Sequence, residues 1–125
     1  SAQGFIDNYL AAPDTICCHL SEDAGGVTGF QSLGLWPGLP PGWADIGTFV
    51  APDRQRDRPG AALFQATCAM ARAAGIGTIN AAIRADNLPG LGYYTKRGFT
   101  DHASDPDYCL ADGTKVGRIC KRFEL

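Results

Sequence analysis

Apolar residues change their spacing several times along the chain, and each change marks an expected element. Gly4 to Ala12 reads as the end of a helix, stopped by Pro13. Thr15 to Leu20 is a β-like run, and Ser21 to Gly26 brings Glu, Asp and two glycines, the composition of a turn. Val27 to Leu35 then reads as the partner strand of a hairpin. Leu35 to Gly42 carries three prolines, two glycines and Trp36, which predicts an ordered surface loop. A third strand is expected over Ile46 to Val50, ended by Pro52 and followed by the polar stretch Asp53 to Arg58.

The period then becomes helical. Pro59 sits where a first helical turn tolerates proline, and the alanine-rich segment to Ala74 places Leu63, Phe64, Thr67, Cys68 and Ala71 on one face, with Gln65 and Arg72 off it. Gly75 is a natural C-cap. Thr78 to Arg84 alternates, with Ile79, Ala81 and Ile83 on one side of a strand. Asn87 to Arg97 predicts a short helix, with Pro89 near its start, Lys96 and Arg97 in its last turn and Gly98 after it. Two more strands are expected, around Phe99 to Ser104 and Lys115 to Phe123, with a turn at Asp112-Gly113. A hairpin feeding a strand–helix–strand unit implies an α/β (α+β) domain: a mixed, mostly antiparallel central sheet with helices on its faces.

Composition narrows the function classes. A chain of 125 residues, nearly half of them apolar, is expected to form a single domain with a real core. Its formal net charge of -2 argues against broad electrostatic capture of nucleic acid or anionic membrane. No apolar run approaches the roughly 20 residues of a membrane-spanning helix. The five cysteines are odd in number and form no C-x-x-C, so neither a disulfide framework nor a metal site is expected, and reduced thiols in a cytoplasmic protein are.

One segment carries candidate chemistry. Between Val50 and Leu63 a strand ends, a polar loop turns and a helix starts. Backbone N–H groups and the helix dipole make such a place an anion site, and Arg54, Arg56 and Arg58 concentrate positive charge there. The loop lacks the Gly-Lys-Ser/Thr of a P-loop and the G-x-G-x-x-G of a dinucleotide fingerprint. A solvated arginine-rich loop without a ligand is the plain alternative.

A second motif separates the two. The run Asn87-Leu-Pro-Gly90-Leu-Gly-Tyr93-Tyr94-Thr-Lys-Arg-Gly98-Phe99 resembles the acetyl-CoA-binding region of the GNAT superfamily of N-acyltransferases, roughly N-x-x-A/G-x-x-(aromatic or aliphatic)-Y-x-x-x-G-F, in every element. Upstream, Val50, Pro52, Gln55 and Gly60 match that family's V-x-P-x-x-Q/R-x-x-G-x-G/A. The resemblance spans residues 15 to 104 closely and the tail loosely. Arg58 replaces the usual first glycine and Pro59 removes an N–H, so Arg56 or Arg58 is expected to supply donors in their place. The resemblance leads one to expect a first strand and helix ahead of these elements, and the sequence starts within what reads as the second helix.

The resemblance implies a GNAT-like acyl-CoA N-acyltransferase fold with helices on both faces of the sheet, and an enzyme that transfers acetyl from acetyl-CoA to a primary amine, expected to belong to a small molecule. It places the pantetheine arm along the backbone of Phe49 and Val50 and the pyrophosphate on Gln55, Arg56, Asp57, Arg58, Gly60 and Ala61. Asn87, Gly90 and Tyr93 join the cofactor site. Tyr94 matches the tyrosine that gives a proton to the departing thiolate. The general base is open between Asp45, His19 and a water chain. No nucleic acid, membrane or metal is implied, and a homodimer is compatible. Two other readings stay open: a non-catalytic acyl-CoA sensor, and a structural subunit docking through the Trp36 to Trp43 loop.

Overall fold

The computed structural model describes residues 14–51 and 57–125, excepting the side chains of 57–59. The expected helix at Gly4 to Ala12 and most of the polar stretch after Pro52, with Gln55 and Arg56, lie outside the described residues. Strands β1 (Thr15–Asp23), β2 (Gly26–Gly34) and β3 (Trp43–Val50) lead to helix α1 (Asp57–Ala73). Then come β4 (Thr78–Arg84), α2 (Leu88–Arg97), β5 (Thr100–Asp105) and β6 (Arg118–Glu124). The six strands form one sheet in the order β1-β2-β3-β4-β6-β5. Every neighbouring pair is antiparallel except β3 and β4. That parallel pair needs a crossover, which α1 supplies.

The hairpin turn is tighter than its composition predicts. Glu22 and Asp23 pair with Val27 and Gly26, leaving Ala24 and Gly25 as the turn. Asp23 Oδ1 accepts from the Gly25 N–H at 2.7 Å, and Gly26 takes φ 114°, so polar side chains close the turn while the ladder runs through them. In the tail the last strand starts three residues later than expected. Gly117 adopts φ 76°, which breaks the run, and Lys115 makes only an isolated bridge with Cys109.

Helix α1 buries the expected face: Leu63, Phe64, Thr67, Cys68 and Ala71 are buried, while Gln65 and Arg72 are exposed. That face meets Leu33, Ala44, Ile46, Ile79, Ala81 and Ile83 of the sheet in a single core, which Tyr94 of α2 and Phe99 also enter. Aromatic contacts tie the layers together, Phe64 lying edge-on to Phe123 with centroids 5.1 Å apart and Phe99 5.0 Å from Tyr94. Both described helices therefore pack on this face. Strand β2 is buried at six consecutive positions, Thr28 to Leu33, as a central strand covered on two faces must be.

Helix α2 is short, ten residues, and is fixed at both ends. Asn87 Oδ1 accepts from the Gly90 N–H at 3.1 Å, and Gly98 closes the helix in the left-handed conformation at φ 102°, its N–H reaching Thr95 O. These two caps place Tyr93 and Tyr94 over the sheet.

Candidate active site

β3 and β4 pair at Trp43/Thr78, Ala44/Ile79 and Asp45/Asn80, and then part. β3 continues to Val50 against β2, while β4 continues to Arg84 against β6. A fork therefore opens in the middle of the sheet, closed at Asp45 and Asn80. The Ala51 N–H donates to Thr28 O at 3.0 Å, which fixes the alternation of the antiparallel ladder. Phe49 turns its backbone groups toward β2, whereas Thr48 and Val50 turn theirs into the fork, where β4 offers no ladder partner; the Ile46 N–H, on the same side, still closes the Asp45/Asn80 pair. Of the two residues expected to carry an added strand-like ligand, Val50 turns its backbone groups into the fork and Phe49 does not.

The helix-side wall of the fork is polar in an otherwise apolar layer. The buried Tyr94 hydroxyl lies 2.8 Å from Thr48 Oγ1. Gln31 Nε2, fully buried on β2, donates to both Thr48 Oγ1 and the Tyr93 hydroxyl, each at 3.0 Å. The Tyr93 hydroxyl donates to Gly60 O at 2.7 Å, and the Arg97 guanidinium lies 5.5 Å from the Tyr93 ring centroid. A Cβ on Gly60 would come within 2.6 Å of Tyr93 Cε1, so only glycine lets α1 approach this ring.

The expected phosphate residues gather unequally. Asp57, Arg58, Gly60 and Ala61 all stand in the first turns of α1, which begins two residues before the expected Pro59. That helix start follows the open end of the fork and presents its positive dipole end there. Asn87 acts as the N-cap of α2. A Cβ on Gly90 would lie 2.5 Å from Asn87 Nδ2, so a larger residue there would push the capping side chain aside.

The closed end of the fork carries a second polar group on the other face of the sheet. Burial raises the Asp45 carboxyl above the usual range, against the lowering effects of the Asn80 hydrogen bond and of Arg118. Asn80 Nδ2 donates to Asp45 Oδ1 at 2.9 Å, and Asn80 Oδ1 lies 2.7 Å from His102 Nε2. Since that amide oxygen only accepts, His102 Nε2 carries the proton. His102 packs edge-on to Trp43. His19 lies elsewhere, across from Gln31 on β1, and its buried Nδ1 has no hydrogen-bond partner among the described residues.

Sequence reasoning missed Gln31, Thr48, Asn80 and His102. Gln31 and Thr48 did leave a trace, as polar residues at core-facing positions of strands. Cys17, Cys18, Cys68 and Cys120 have thiols raised by burial, which favours the protonated, unreactive form. No described helix is long and apolar enough to cross a membrane.

Residues 2–99 match the model of the acetyltransferase (GNAT) family. Curated proteins yield no match. Solved structures share the fold. yncA from Salmonella typhimurium, described as an acetyltransferase and determined with acetyl-CoA, is 24% identical with a TM-score of 0.76, and the alignment covers 86% of this chain and 64% of that one. The ribosomal-protein-alanine N-acetyltransferase of Brucella melitensis is 17% identical with a TM-score of 0.79, over 99% of this chain and 76% of that one. The ribosomal-protein-S18-alanine N-acetyltransferase of Escherichia coli is 21% identical with a TM-score of 0.72, over 99% and 76%. Fork, crossover helix and motif residues agree with the family match: the chain belongs to the acetyltransferase (GNAT) family.

Proposed function

We propose that the protein transfers the acetyl group of acetyl-CoA to a primary amine, and that the amine belongs to a small molecule. The observation that carries this reading is the fork: three residue pairs join β3 to β4, and beyond them Thr48 and Val50 hold backbone groups toward a gap that an extended amide-bearing chain fits as an added strand. Pantetheine is such a chain, with two amides. Its pyrophosphate then reaches the start of α1, and its thioester lies toward the closed end, beside Tyr94. The acetyl-CoA bound to yncA supports the choice of donor.

The amine attacks the thioester carbonyl directly. As the C–S bond breaks, Tyr94 gives its proton to the departing thiolate. Asp45, at the closed end and on the face opposite Tyr94, takes the proton that the amine loses; a carboxyl raised by burial is the better base for that step. Calorimetry with acetyl-CoA, followed by thiol release over a panel of amines, tests the reading. Binding with turnover on at least one small amine is expected. Binding without turnover on any amine favours a sensor, and absence of binding ends the reading.

A further inference from the structure

The hydrogen bonds around Tyr94 form a chain whose direction is fixed from one end as far as Thr48. Gly60 O is a carbonyl and only accepts, so the single Tyr93 hydroxyl proton is committed to it. Tyr93 Oη is then left to accept, and its partner on Gln31 must be a donor. That orients the Gln31 amide with Nε2 toward both Tyr93 and Thr48; the reverse orientation would ask Tyr93 for a second proton. Thr48 Oγ1 therefore accepts from Gln31, and its own proton is available to the Tyr94 oxygen 2.8 Å away.

We propose that Thr48 is a positioning residue for catalysis: oriented by Gln31 and Tyr93, it donates to Tyr94 Oη, holds the phenol at the fork and stabilises the tyrosinate left when Tyr94 gives up its proton. The proposal rests on Tyr94 being the proton donor of the reaction. In the step concerned the C–S bond breaks, sulfur keeps the electron pair and binds the Tyr94 proton, and the negative charge moves to Tyr94 Oη, where Thr48 donates. Solvent then returns a proton to Tyr94. A hydrogen bond to a charged oxygen is stronger than one to a neutral oxygen, so the contact favours the charged product of the step. The chain also ties the tyrosine to Gly60 in the first turn of α1, so the thiolate site and the expected phosphate site share one scaffold.

The test uses Thr48→Val, which keeps the shape and deletes the donor, and Thr48→Ser, which restores it. Tyrosine ionisation is followed by NMR on protein labelled at tyrosine Cζ, with Tyr94→Phe assigning the Tyr94 signal, so the readout needs no acceptor. Thr48→Val is expected to raise the Tyr94 midpoint by about 1 to 2 pH units, the size of a charge-assisted hydrogen bond, and Thr48→Ser to return it. With acetyl-CoA and the amine giving the fastest thiol release, Thr48→Val is expected to lower kcat about tenfold or more, with the acetyl-CoA KM nearly unchanged. In a Tyr94→Phe background it is expected to cost nothing further. An unmoved midpoint, failure of serine to restore it, or an equal loss in both backgrounds overturns the proposal. Wild-type turnover from Tyr94→Phe together with a moved midpoint overturns the catalytic role of Tyr94 while leaving the Thr48 hydrogen bond demonstrated.

Discussion

The two halves of β3 have the same partner on one side and different fates on the other. From Trp43 to Asp45 the strand is held by β2 and β4 together, where Ala44 is fully buried and Asp45 is bonded to Asn80. From Ile46 to Val50 the pairing with β2 continues unbroken, but β4 has turned away to β6. The first half contributes to the fold. In the second, the backbone groups of Thr48 and Val50 on the side away from β2 meet no ladder partner among the described strands and lie beside a buried tyrosine, an arrangement a sheet tolerates where something else completes the ladder. On the proposed reading, an extended amide chain is recognised where two strands separate rather than by any side chain.

Proline substitution separates the halves most strongly. At Ala44 a proline removes an N–H directed at β4 and forces a ring into a fully buried position; a melting-temperature loss on the order of 10 °C or an unfolded product is expected. At Val50 the same change removes an N–H directed into the fork, so the melting temperature is expected to stay within a few degrees while calorimetry shows acetyl-CoA affinity falling about tenfold or more. Equal stability losses at both positions would erase the distinction.

Tyr94→Phe acts on the open half without touching the ladder. Its kcat is expected to fall about a hundredfold or more, with the acetyl-CoA KM little changed, as loss of a general acid predicts. Asp45→Asn acts on the closed end, and its stability effect has a definite sign. The folded carboxyl is raised above its unfolded value, so its stabilising contribution is full below the unfolded value and is lost as pH rises through the folded one. A neutral amide at this position escapes that loss. The variant is expected to melt higher than the parent at neutral pH, with the difference vanishing as pH falls below the carboxylate range, and to turn over more slowly. The smallest effect is expected from Asn87→Ala, which removes the α2 cap at about 1 kcal/mol, a few degrees in a thermal scan.

Much of this architecture was legible in the residues because it rests on local rules. The buried face of α1 followed from helical spacing, the end of α2 from Gly98, and the fork's flanking motifs from Val50 and from Asn87 to Phe99. Boundaries were less legible where a turn competes with a ladder, as at Glu22 and Gly117. The wall of the fork was hidden for a different reason. Gln31, Thr48, Tyr93 and Gly60 lie far apart in sequence and meet only through strand register and the seating of both helices, and no local pattern encodes a contact of that range. Asn80 and His102 join Asp45 in the same way, across β4, β6 and β5. Asn87 and Gly90 show the reverse: a motif read for its ligand also closes its own helix.

The most direct measurement is amide hydrogen exchange along β3, residue by residue, with and without acetyl-CoA. The amides of Thr48 and Val50, which face the fork, are predicted to gain protection on binding, while those of Ala44 and Phe49 stay as they were. Binding that leaves Thr48 and Val50 unchanged, or protects both halves of the strand alike, would contradict the account.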